Sequence, residues 1–272
     1  MSVRVLVLRT AGTNCDYETA HAFELAGAEA ERVHVRALLK GDRGIDDYHI
    51  LAVPGGFSYG DDLGAGTVLA NQLGTRFRDT LASFVDSGRQ VLGICNGFQV
   101  LVRLGLLPGG TDDKEVSLVE NTSGLFEDRW VRLRVDTGSS PVLDEGDVLE
   151  MPVAHKEGRL VVSSPEALER MRANGQIALR YVAVNGDTQG EPLGYPDNPN
   201  GSIESIAGLQ SSCGNVLGMM PHPERHLRAL HHPEWTRRRA QGSMPREGAD
   251  GSDWRQGDGY RIFSRMVDQA RG

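Results

Sequence analysis

Short apolar runs alternate along this chain with stretches of helical spacing or glycine-rich loops. Residues 3–8, 32–35, 49–53 and 91–94 read as strands, short and mostly apolar. Residues 17–26 carry a helical pattern, with Asn14 or Asp16 as its cap and Gly27 as its stop. Further helical patterns cover 76–86 and 98–104. Apolar strands alternating with helices predict an α/β fold with a mostly parallel sheet covered on both faces. Ligands bind such sheets beyond the carboxyl ends of the strands. The loops after Val53 and after Ile94 should therefore open at one edge.

The second half is less regular. Residues 130–135 alternate and predict a half-exposed strand, and 149–154 predict another. Residues 165–173 predict a helix capped by Ser163 or Ser164, and 176–184 a strand. Residues 195–202 are turn-rich, and 215–220 form a late buried strand. Ile262, Phe263, Met266 and Val267 give 260–270 the apolar stripe of a closing amphipathic helix. Between about 231 and 259 the composition shifts to charge, Gly and Ser, which predicts a flexible surface insertion carrying Trp235 and Trp254. With no repeat and no clean linker, residues 1–272 read as a single domain.

The chemistry gathers at Gly93-Ile94-Cys95-Asn96-Gly97. A buried strand stops at a Cys between glycines and a helix begins, which is the cysteine form of a nucleophile elbow. Small neighbours let the turn close and lift the thiol into a cleft. The helix N-terminus behind the sulfur favours the thiolate, the nucleophilic form. A thiol nucleophile wants a base, and the base an orienting group. His222-Pro223-Glu224 offers both: prolines at 221 and 223 hold the segment extended, where residues i and i+2 share a side. Gly55-Gly56, after the third strand, suits an oxyanion hole, with Gly56 N–H and Asn96 N–H as the two donors. Gln99 lies one helical turn beyond Cys95 and can reach a polar substrate group or face outward.

Composition narrows the classes. A net charge of −8 argues against a general nucleic-acid binder. The three cysteines, Cys15, Cys95 and Cys213, are sparse and odd in number, which fits a reducing, cytoplasmic compartment with no disulfide framework. No metal-ligand spacing joins them, and the adjacent Asp61 and Asp62 read as solvated carboxylates, so no metal is expected. No apolar stretch is long enough to span a membrane.

Three separated motifs carry a resemblance. They are Pro54-Gly55-Gly56-Phe57-Ser58-Tyr59-Gly60-Asp61, Gly93-Ile94-Cys95-Asn96-Gly97-Phe98-Gln99, and Gly218-Met219-Met220-Pro221-His222-Pro223-Glu224-Arg225. Together they resemble the class I, triad-type glutamine amidotransferases, and within them the glutaminase subunits of phosphoribosylformylglycinamidine synthase. The turn at 195–202 is similar to the same branch. Lys156 and Gly64 depart from it, at positions where the family often has Gly and Arg. The resemblance implies a flavodoxin-like three-layer sandwich and a Cys95, His222, Glu224 triad. It implies glutamine bound by Gly55, Gly56, Gln99 and His155. It also implies a large synthetase subunit and a small third subunit as partners, with ATP and Mg on the synthetase and no cofactor in this chain. The absence of a Gly-x-x-x-x-Gly-Lys-[Ser/Thr] loop agrees with that division. Two other readings share part of the pattern. One is a stand-alone cysteine hydrolase, which would place its acid between nucleophile and His. The other is a binding relative with an idle triad.

Overall fold

The computed structural model describes residues 2–109, 114–183, 193–242 and 256–272. The first half runs β1 (Arg4–Arg9), α1 (Asp16–Leu25), β2 (Glu29–His34), α2 (Val35–Lys40), β3 (Ile50–Val53), α3 (Thr67–Arg76), α4 (Arg78–Asp86), β4 (Gln90–Ile94) and α5 (Asn96–Leu104). Then come β5 (Val116–Val119), β6 (Glu127–Val135), β7 (Val148–His155), β8 (Arg159–Val162), α6 (Pro165–Ala173) and β9 (Ile177–Val182). β10 (Ile206–Gln210), β11 (Val216–Met219), α7 (Trp235–Ala240) and α8 (Asp258–Arg271) complete the order.

The main sheet has the order β2-β1-β3-β4-β11-β10-β9-β6-β7, and β5 pairs with β8 apart from it. β2, β1, β3, β4 and β11 run parallel. From β11 outward through β10, β9, β6 and β7 the pairing is antiparallel. The parallel half is the one the apolar runs predict: β3 and β4 are buried at every position, as strands covered on both faces must be. Register then places the chemistry. Val53 pairs with Gly93, and Gly93 with Gly218. The segments that follow β3, β4 and β11 therefore leave the sheet side by side.

α5 packs over β3, β4 and β11, and α3 packs on α5. α1 and α8 meet through an edge-to-face Phe23–Phe263 contact, centroids 4.9 Å apart. The stripe predicted for the closing helix, Ile262, Phe263, Met266 and Val267, is buried. Among the described residues no helix is long and apolar enough to cross a membrane.

Several elements differ from the pattern-based expectation. β2 begins at Glu29, and Val35 opens α2 instead of ending the strand. His34 caps that helix, its Nδ1 accepting from Arg36 N at 3.1 Å. α3 precedes the predicted helix at 76–86, and the chain breaks at Phe77 between the two. Neither Asn14 nor Asp16 caps α1. Cys15 occupies the cap position, and Asp16 instead pairs with Arg32 at 3.1 Å. Ser164, one of the two candidates, does cap α6, accepting from Ala167 N at 3.2 Å.

The predicted insertion at 231–259 is described over 231–242 and 256–259. Residues 243–255, Trp254 among them, lie outside the described residues. Its N-terminal part holds α7 and a buried His232 whose ring stands 4.4 Å from that of Trp130. Arg238 bonds Glu150 at 3.1 Å. At the other end Asp258 accepts from Glu150 N at 2.7 Å. The described ends are thus packed on the body of the fold.

Candidate active site

Cys95 sits between the last residue of β4 and the first of α5 with φ 51° and ψ −105°. A non-glycine residue with positive φ is strained, and such strain persists only where the surroundings enforce it. Here they do. Cys95 N donates to Met219 O at 2.8 Å, fixing the turn to β11. The flanking glycines allow the close approach: a Cβ on Gly97 would stand 1.8 Å from Val53 O, and one on Gly93 2.9 Å from Gly97 O. The sulfur lies at the α5 N-terminus, 3.5 Å from Ala154 O on β7.

His222 and Glu224 meet as the spacing predicts, though through a different backbone. His222 is extended, but Pro223–Arg225 form a 3₁₀ turn. His222 Nδ1 donates to Glu224 Oε1 at 2.6 Å, both residues being buried. His222 N donates to Pro152 O at 2.8 Å, which ties the base to β7. His222 Nε2 has no hydrogen-bond partner among the described residues. It is the nitrogen left for proton transfer. Burial alone would push the imidazole pKa down. The Glu224 carboxylate and then the Cys95 sulfur outweigh burial and hold it well above its ordinary value. The balance favours the protonated ring beside Glu224.

That sign carries a prediction. Glu224→Gln removes the charge that holds the His222 pKa up, so the imidazolium is lost at lower pH. The alkaline limb of the kcat/KM profile should move to lower pH. Turnover at the optimum should fall on the order of 10²–10⁴-fold. An alkaline limb that stays in place would show that Glu224 does not set the base.

The Gly55-Gly56 loop is clamped by the loop that follows β1. Thr13 bridges Gly56, Phe57 N donates to Gly12 O at 2.9 Å, and Cys15 N donates to Gly55 O at 3.3 Å. Gly56 has φ 140°, and a Cβ there would meet Asn14 N and Gly12 O at 2.8 Å. Gly55 is as tightly held, since its Cβ would stand 2.8 Å from His222 Cε1. Neither Gly56 N–H nor Asn96 N–H has a hydrogen-bond partner among the described residues.

Gln99 is buried and engaged. Its Nε2 donates to Glu157 O at 2.5 Å, and its Oε1 accepts from Asn96 Nδ2 at 3.0 Å. Asn96 Nδ2 also reaches Asp61 Oδ1 at 3.3 Å, and Asp61 Oδ1 accepts from Gly66 N at 3.3 Å. Asp61, expected as a solvated carboxylate, is therefore a half-buried strut of this loop; burial raises its pKa. His155, at the end of β7, is buried with neither ring nitrogen bonded among the described residues. Burial, then the nearby His222, pushes its pKa down to about 3. It is a neutral imidazole at any working pH.

The structure adds two residues to which the sequence assigns no part. Cys15 Sγ lies 4.0 Å from His222 Nδ1, and Arg225 Nη2 donates to that sulfur at 3.3 Å. A usable signal existed: the loop after β1 also leaves a parallel strand at its carboxyl end. A cavity of about 700 Å³ lined by Gln90, Gly105, Pro141 and Asn215 lies at the opposite end of β4 and is remote from this chemistry.

A strained thiol and a paired imidazole and carboxylate at the carboxyl edge of an α/β sheet have the arrangement of a triad-type amidotransferase site. The profile of the CobB/CobQ-like glutamine amidotransferase domain matches residues 2–268. A phosphoribosylformylglycinamidine synthase subunit PurQ from Dehalococcoides mccartyi is 43% identical over 271 residues, covering 99% of this chain and 98% of its own. Its counterpart from Archaeoglobus fulgidus is 40% identical over 283 residues, covering 98% and 96%. A solved structure titled PurLQS from Thermotoga maritima superposes with a TM-score of 0.71 at 30% identity, covering 99% of both chains. The chain belongs to the PurQ family of glutamine amidotransferases.

Proposed function

We propose that this chain hydrolyses glutamine and hands the ammonia to a synthetase subunit that converts formylglycinamide ribonucleotide to the amidine. Cys95 attacks the side-chain amide carbon of glutamine, and the oxyanion is held by Gly56 and Asn96 N–H. His222 Nε2–H protonates the departing ammonia, leaving a thioester on Cys95. His222 then takes a proton from water, which cleaves the thioester to glutamate. Glu224 orients His222 and balances its charge. Gly55, Gln99 and His155 line the glutamine pocket, Gln99 by fixing Asn96 and the 157 loop. ATP and Mg act on the synthetase, and a small third subunit completes the assembly; the name PurLQS of the similar solved structure supports a multi-subunit partner set. The chemistry is that of a cytoplasmic pathway.

The single observation that carries this reading is the 2.6 Å His222–Glu224 pair at the same sheet edge as the strained Cys95. The acid follows the base by two residues, an order that disfavours the stand-alone hydrolase reading. The test mixes the chain with its synthetase partners and compares nitrogen donors. Amidine formation from glutamine should require this chain, and formation from free ammonia should not. Ester or lactone hydrolysis by the chain alone, without glutamine-dependent amidine formation, would overturn the reading.

A further inference from the structure

Cys15 has no part in the proposed reaction, yet its sulfur is built into the site. It is 1% exposed, at the cap of α1, and stands beside a His222 that is 1% exposed and a Glu224 that is 2% exposed. One ligand atom from each residue can be chosen so that all three lie within 4.8 Å of one another. Sγ and Nδ1 are 4.0 Å apart, and Nδ1 and Oε1 2.6 Å. Glu224 Oε2 is buried and has no hydrogen-bond partner among the described residues. A thiolate and an imidazole beside a carboxylate make a zinc donor set, whereas magnesium and calcium take oxygen ligands. Tetrahedral bonds of about 2.0–2.3 Å set neighbouring ligand atoms roughly 3.4–3.6 Å apart. The sulfur would close by roughly half an ångström, and Glu224 Oε1, now on the Nδ1–H line, would swing off that line to a tetrahedral position.

We propose that Cys15, His222 and Glu224 form an inhibitory site for a thiophilic divalent ion such as zinc, one that captures the base of the triad. Binding releases one proton from the Cys15 thiol and one from His222 Nδ1. The metal–nitrogen bond replaces the Nδ1–H bond to Glu224. A metal-bound His222 can no longer cycle a proton between Nε2 and the leaving ammonia. The Arg225 contact to Cys15 becomes a hydrogen bond to a metal-bound thiolate, the kind of outer contact that orients a ligand. The inhibition rests on the glutaminase reading above; the binding site does not.

Two measurements keep those apart. Cobalt chloride titrated into the full-length Cys95→Ala protein should give thiolate-to-cobalt charge-transfer absorption. Adding Cys15→Ala or, separately, Cys15→Ser should abolish it, with folding checked by circular dichroism. No such absorption in Cys95→Ala, or absorption that survives loss of Cys15, overturns the site. In the complex, zinc chloride should suppress glutamine-dependent but not ammonia-dependent amidine formation, reversibly on chelation. Measured against each protein's own zinc-free rate, Cys15→Ser should raise the half-inhibiting zinc concentration at least about tenfold. An unchanged value places the inhibitory zinc elsewhere and overturns the proposal. Failure of the zinc-free wild type to use glutamine overturns the glutaminase reading and leaves the cobalt result standing.

Discussion

Cys95→Ala is expected to lower glutamine-dependent amidine formation on the order of 10⁴-fold or more and to leave the ammonia-dependent reaction within about twofold. Such a loss corresponds to about 5.5 kcal/mol of transition-state stabilisation. The asymmetry follows from what each route needs. From glutamine, nitrogen must be cut from an amide carbonyl, and only a nucleophile at the elbow opens the thioester path. The proposed oxyanion donors, Gly56 and Asn96 N–H, would hold a tetrahedral oxygen but cannot form the bond. From ammonia, nothing is cut in this chain. The substitution is also structurally mild: it removes the sulfur's contact to Ala154 O and its electrostatic influence on His222, and relaxes no main-chain bond. Loss of the ammonia reaction as well would mean that the variant no longer assembles. Retention of the glutamine reaction would move the nucleophile elsewhere, with buried Cys15 the nearest other thiol to His222.

How much of this was legible depends on how locally each feature is encoded. β3 and β4 were, because a strand buried on both faces reads as a short, mostly apolar run, here 50–53 and 91–94, with a glycine-bearing turn just after it. The elbow was for the same reason: Gly93, Cys95 and Gly97 act within one turn. His222 and Glu224 could be paired from spacing alone, although a 3₁₀ turn, not an extended strand, joins them. The antiparallel half was not legible, since no local pattern tells β10 which neighbour it will take, and its register against β9 slips twice. α3 was hidden because polar Thr67, Asn71, Gln72 and Thr75 dilute its stripe of Leu69, Ala70 and Leu73. The cap of α1 was misplaced because Asp16 finds Arg32 on β2 instead of the helix end. Cys15 was marked only by its place after a parallel strand, and no local pattern gave it a role. A lone buried cysteine reads as packing, and what gives it chemistry is a histidine 207 residues away in sequence.

Gly97→Ala tests whether the fold and the site are one construction. The added Cβ would sit 1.8 Å from Val53 O and 2.6 Å from Val53 C, both backbone atoms of β3. No rotamer relieves a clash between a β-carbon and a main chain. Either β3 or the first turn of α5 must move by more than an ångström. β3 is pinned by β1 and β4 on its two sides, so the strain falls on α5. Gly97 itself has no positive φ, so the cost is contact and not backbone preference. The expected loss is about 4 kcal/mol or more, a third or more of a typical domain's stability, read as the shift in urea midpoint. Gly105→Ala is the control at the other end of the same helix. It has φ 78° and nothing within 4 Å of the added carbon, so only the left-handed backbone is penalised, by about 1–2 kcal/mol. Displacing the first turn of α5 also moves Asn96 N–H and the Cys95 sulfur off their shared target. Whatever Gly97→Ala protein folds should therefore lose glutamine-dependent turnover, while Gly105→Ala keeps it. Equal stability of the two variants would mean that the elbow is not clamped against β3. The strain at Cys95 would then have no support from that side.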